Sequence, residues 1–155
     1  MLESLEDVNW AEIPQPVWNS PDEVPSALLE VSKVGSEAAS EHAYNRLLYV
    51  FGNNHCGSYY PVVLSAVPFM VEMLSHENSL VRKTVLDVLL DLLHSFGPDP
   101  EFATIRLSPG SELPLDKALR NTIAALRPQI ERCAFATSKN SLEQGNLNEL
   151  LALLE

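Results

Sequence analysis

The polar and apolar positions of this chain fall mostly on a helical period. From Val67 to Lys83 an apolar run ends, a short polar turn Ser75-His76-Glu77-Asn78 comes next, and Val81-Arg82 opens a second apolar run. That alternation predicts a helical hairpin. Upstream, Ser20-Pro21-Asp22-Glu23 reads as a helix start, with Ser at the cap, Pro in the first turn and Glu behind it. Pro25 shifts the start by two or three residues, and the helix carries Leu28, Leu29 and Val31 towards Gly35. A second helix is predicted from Ser36 to Phe51, with Ala39, Ala43, Leu47, Val50 and Phe51 on one face. A third runs from Ser58 to Ser75 and is apolar nearly all round, the mark of a central position. Pro68 should kink it, because proline removes a donor and crowds the carbonyl of Leu64. Asn78 caps a fourth helix that reaches Phe96. A fifth spans Leu113 to Thr137 and must kink or split at Pro128. Ser138-Lys139-Asn140 reads as a turn before a last amphipathic helix from Ser141 to Glu155.

Two segments break the period. Residues 1–20 carry Pro14 and Pro16 and cannot form one helix, yet Trp10, Ile13, Val17 and Trp18 are too apolar for a disordered tail. They predict an irregular capping arm with its tryptophans docked. Residues 97–112 form a connection of sixteen residues, long beside the usual median of about 4–6. Its middle, Phe102 to Leu107, reads as a short extended piece or one helical turn.

The segment Ser65 to Phe96 resembles a HEAT repeat. Pro68 stands as the first-helix proline, Asn78 as turn and cap, and Val81-Arg82 as the start of the second helix. The resemblance covers roughly a fifth of the chain. It implies an all-α fold, a short HEAT-like α-solenoid of antiparallel helical hairpins forming a single domain over 1–155. It also implies that Arg82 hydrogen-bonds turn carbonyls or a neighbouring acid along the stack. His76 departs from the pattern, standing where the family often has aspartate. The stretch Gly52 to Pro61 is similar to small bacterial HEAT-like proteins, some of them immunity partners of secreted toxins.

Charge narrows the partners. The net charge of the 155 residues is −11, and residues 1–41 hold nine acids against one base, Lys33. Such a chain repels a phosphate backbone, which argues against nucleic acid. It attracts and steers a basic protein surface, although acidity also simply keeps proteins soluble. No apolar run is long enough for a membrane span, and the acidic start lacks the basic and apolar regions of a secretory signal. A cytoplasmic protein with free, buried cysteines at Cys56 and Cys133 is expected.

Chemistry is weakly represented. His55-Cys56 invites a nucleophile reading, but sequence neighbours rarely align as thiolate and base. His42, His55, His76 and His94 are too scattered for a zinc site. Asp87 and Asp91 share a helix face beside Lys83, as a solvated face would. No glycine-rich phosphate loop occurs, and no cofactor is expected. The leading expectation is a non-enzymatic protein-binding module, in its sharpest form an immunity protein that neutralises a basic toxin domain. Its expected contacts are Glu3, Glu6, Asp7, Glu12, Asp22 and Glu23, anchored by Tyr59 and Tyr60 or by the loop near Phe102 and Arg106. A general adaptor is the alternative within that class. A cysteine-dependent enzyme or lyase accessory acting through Cys56 is the alternative outside it.

Overall fold

The side chains that cap the second and fourth helices sit where the sequence places them. In the computed structural model, which describes residues 2–108, 110–136 and 141–155, Ser36 accepts from Ala39 N at 3.2 Å. Asn78 accepts from Leu80 N at 2.9 Å. The helices are α1 (Glu23–Val31), α2 (Glu37–Phe51), α3 (Val62–Met73), α4 (Ser79–His94), α5 (Leu115–Ala125), α6 (Arg127–Ala136) and α7 (Ser141–Ala152). Pro25 is accommodated in the first turn of α1, where its missing N–H has no intrahelical use. The expected turn at 138–140 lies outside the described residues.

The helices pack as three pairs, α1 with α2, α3 with α4, and α6 with α7. Successive pairs touch in two layers. One layer places α4 between α2 and α7, and the other places α3 against α1, α5 and α6. Between them lies a continuous core that includes Leu28, Leu47, Phe51, Val63, Met70, Val85, Leu89, Leu119 and Ile123. As its all-round apolar pattern predicts, α3 is the most enclosed, burying Val62, Val63, Ala66, Val67, Phe69, Met70, Val71 and Met73. Polar pins lock the pairs. Ser40 and Thr84 share a buried hydroxyl bond of 2.7 Å between α2 and α4, and Asn78 Nδ2 donates to Val34 O at 2.7 Å.

Three expectations need correction. The fold is mostly helical and not purely α, because two small sheets are present. The third helix begins at Val62 and not at Ser58, since β2 (Ser58–Tyr59) pairs antiparallel with β1 (Gly52–Asn53) and parallel with β3 (Gly97–Pro98). The 97–112 connection is more than a loop with one short extended piece or helical turn in its middle. It holds a 3-10 turn at Pro100–Phe102 and a hairpin of β4 (Thr104–Ser108) with β5 (Ser111–Pro114). The fifth helix splits as Pro128 led one to expect: Pro128 stands in the first turn of a new helix and the chain breaks at Leu126 before it. By contrast α3 passes through Pro68, which lies exposed on its outer side.

The arm runs along α3. Leu2 N donates to Glu72 Oε2 at 3.2 Å near the C-terminal end of that helix. Trp10 packs on Phe69 at 6.2 Å between ring centroids and donates Nε1–H to Leu5 O at 2.9 Å. At the other end, Val62 N donates to Pro14 O at 3.1 Å, which satisfies one of the free donors at the start of α3.

Candidate functional site

The last four carbonyls of a helix have no partner within it, and α2 is completed by three other segments. Gly52 N caps Leu48 O. Trp18 Nε1–H reaches Tyr49 O at 3.3 Å, Asn19 Nδ2 reaches Val50 O at 2.8 Å, and Tyr60 N reaches Phe51 O at 2.8 Å. The small sheet brings in a further segment, since Gly97 N bonds Gly57 O and Asp99 N bonds Tyr59 O, both at 2.8 Å. Backbone accounting therefore gathers aromatic side chains from the arm, the end of α2, the residue after β2 and the 3-10 turn after β3.

The result is a chain of rings at the surface. Trp18 and Tyr49 lie 5.5 Å apart between centroids, Trp18 and Tyr60 6.5 Å apart at 73°, and Tyr60 and Phe102 5.1 Å apart. Trp18 is 42% exposed, Tyr49 49%, and the adjoining Val17 94%. Isolated surface apolar residues mean little, but four rings in contact beside a bare valine form an anchor patch. Asp99 and Glu101 stand beside it. Partial burial first, then these two carboxylates, raise the pKa of the Tyr60 hydroxyl. Asp99 is fixed in place, because its Oδ1 accepts from Glu101 N at 3.1 Å.

The expected contact residues are distributed unevenly around this patch. Tyr60 and Phe102 belong to it. Tyr59 does not, because at 1% exposure it is a core residue and is withdrawn as a surface anchor. β2 alternates its faces, so Tyr59 points inward while its neighbours stay partly open. Its hydroxyl is pushed up to about 12, chiefly by burial, with Asp116 adding and Arg120 opposing. Arg106 is exposed on the hairpin, 3.9 Å from Glu112. Glu12 and Asp22 are exposed on the arm and just before α1. Glu23 is half-buried and faces Arg46 at 3.4 Å. Glu3, Glu6 and Asp7 are exposed on the 3-10 turn Glu3–Asp7. That turn lies at the far end of α3 from Pro14, roughly 15 Å away at 1.5 Å per residue. Sequence reasoning missed Val17, Trp18 and Tyr49 as an exposed group. The available signal was a Val-Trp pair set among prolines, which no regular element could bury on both sides.

Grooves among the described residues also lie elsewhere. One, of about 670 Å³, separates α2 from α4 and is lined by Glu37, Glu41, Tyr44, Lys83, Asp87 and Asp91. There Tyr44 donates its hydroxyl to Asp91 and Lys83 holds Asp87 at 2.9 Å. Another, of about 720 Å³, lies below the turn between α3 and α4 beside Arg82, Arg132 and Cys133. Arg82 donates Nη1–H to His76 O at 2.6 Å and Glu77 O at 2.9 Å. It also forms a two-point pair with Glu143 of α7, through Nε and, at 3.1 Å, through Nη2. His76 Nδ1 accepts from Asn78 N at 3.0 Å and so helps to hold the same turn.

Cys133 is buried as expected, and burial pushes its thiol up. Cys56 is instead exposed, in the turn where Asn53 Oδ1 accepts from the backbone of His55 and Cys56. Among the described residues no three His, Cys, Asp or Glu side chains gather as a metal site would, and no helix is long and apolar enough to cross a membrane. Comparison with known proteins finds no matching family model, no matching curated protein and no matching solved structure.

Proposed function

We propose that this chain is a non-enzymatic protein-binding module built as a short HEAT-like array of three helical hairpins. The observation that carries the binding reading is the ring cluster of exposed Trp18 and Tyr49 with half-buried Tyr60 and Phe102, on a chain of net charge −11. Large aromatic anchors supply most of the energy of a typical interface, and acidity selects a basic partner and speeds its approach. Support for the array comes from Arg82, which joins turn carbonyls to an acid of the following hairpin, as the resemblance implies.

The sharpest form is an immunity protein that binds and neutralises a basic toxin domain in the cytoplasm. A general adaptor is the alternative, and the number of partners separates the two. A pull-down with the tagged chain, washed at low and high salt, followed by reconstitution from purified components, tests the reading. One basic protein bound in a 1:1 complex supports it, and loss of that protein's toxicity on co-expression supports the immunity form. Several weak partners favour the adaptor. No reconstituted complex with any protein overturns both.

A further inference from the structure

We propose that the Trp18–Tyr49–Tyr60–Phe102 patch receives a cationic side chain, arginine or lysine, from a basic segment of a protein partner. This rests on the protein-binding reading and gives that surface a definite ligand chemistry.

Three observations converge on a cation. The rings are oriented differently, with Trp18 and Tyr60 at 73° and Trp18 and Tyr49 at 33°, so the patch offers several ring faces. Indole and phenol faces are negative and attract cations. The indole is held by its Nε1–H on Tyr49 O, which orders the ring before any partner arrives. Of the carboxylates beside the rings, that of Asp99 is held in place. Asp99 is pinned by its own N–H on Tyr59 O and by Oδ1 on Glu101 N. A purely apolar partner helix would have to strip water from Asp99 and Glu101 without giving anything back. An arginine or lysine lays its stem on the rings and its charge against the carboxylates. The two segments that carry Trp18 and Phe102 are acidic. Residues 2–20 contain four acids and no Lys or Arg, and residues 95–105 contain Asp99 and Glu101 and no Lys or Arg. No positive side chain of these two segments competes for the position.

The chain has two tryptophans, and their indole N–H signals separate the patch from the core. Trp10 is buried where the arm packs on α3, and its signal reports folding. Trp18 reports the patch. The probe is an acetylated, amidated Gly-Arg-Gly-Arg-Gly peptide, with a citrulline version that keeps shape and removes charge. Nitrogen–proton correlation spectra of the full chain are recorded during titration. The Trp18 signal should move with the arginine peptide while the Trp10 signal stays. The citrulline peptide should bind at least tenfold more weakly. Asp99→Asn with Glu101→Gln should lose at least tenfold, and Asn still caps the 3-10 turn at position 99. Glu3→Gln with Glu6→Gln, at the far end of α3, should lose less than twofold.

Equal binding of the two peptides, indifference to the Asp99 and Glu101 changes, or a silent Trp18 at millimolar peptide overturns the proposal. Failure here is distinguishable from failure of the broader reading. If a purified basic partner binds Trp18→Leu as tightly as the unaltered chain, with the Trp10 signal intact, the patch is not the site and the protein-binding module stands. If the unaltered chain binds no protein partner, the module reading falls regardless of the peptide result.

Discussion

Single residues carry disproportionate weight where the backbone has no room. Gly52 is the clearest case. A Cβ there would sit 2.0 Å from the carbonyl oxygen of Ser58, a backbone atom that cannot swing aside. Gly52→Ala should therefore force β1 from β2 and cost about 3 kcal/mol, at the upper end of overpacking effects. Urea denaturation measures it, and an unchanged midpoint would show that the strand pair is dispensable. Gly57 stands at φ +66° and turns the chain between those strands. Tyr59 adds a pH dependence. Its hydroxyl ionises near 10 when unfolded and at about 12 in the folded protein. Below about pH 10 both states are neutral and its contribution is complete. As pH rises from about 10 to about 12 the unfolded chain ionises first, so stability falls. Tyr59→Phe should flatten part of that alkaline loss in a pH series of denaturant midpoints. Tyr44, also shifted upward by burial and by Asp91, accounts for a further part.

Elements are joined by a few polar side chains laid across an apolar core. The last helix is the example. Leu147 and Leu150 of α7 enter the core, and Glu143 is buried against Arg82 of α4. Removing one member of a buried pair leaves the other charge stranded. Arg82→Ala should cost about 3 kcal/mol, because Glu143 and the turn carbonyls of His76 and Glu77 all lose their donor. The double variant Arg82→Ala/Glu143→Ala should cost less than the two single changes added together. Strict additivity in the denaturation cycle would mean that the pair does not hold α7. The arm obeys the same logic in reverse. It has little regular structure of its own, and it is ordered because Trp10, Pro14, Trp18 and Asn19 each answer a donor, an acceptor or a ring on α2 or α3.

At the scale of the molecule, acidity extends well beyond the two carboxylates at the rings. Acidic groups line the arm and the start of α1, while the exposed rings cluster where the arm meets the end of α2. Steering acts over about 8 Å at physiological salt and needs no contact, so acids away from the rings can still speed association. Glu12→Lys with Asp22→Lys should slow binding of a basic partner several-fold and flatten its dependence on salt, with little change in the dissociation rate. Stopped-flow association at two ionic strengths reads this directly. An unaltered salt slope would remove the arm's acids from the encounter.

The sequence by itself determined the helices wherever a local rule sufficed. Ser36 caps α2 and Asn78 caps α4, and the all-round apolar pattern of 62–73 sets α3 at the centre. The resemblance to a HEAT repeat pointed to Arg82 at the turn, where its five donors serve several acceptors at once. The sequence placed Tyr60 and Phe102 among the candidate contacts but could not separate Tyr60 from Tyr59, since one step along a strand reverses a side chain. Only the tertiary structure decided that the 97–112 connection folds back as strands. Those strands exist through pairing with β2 and with each other, and pairing leaves no periodic trace in segments of two to five residues. Only the tertiary structure, again, brought Trp18 to Tyr49 across thirty-one residues of chain. That meeting depends on the unsatisfied carbonyls at the end of α2, which are a property of the folded helix and not of any one residue.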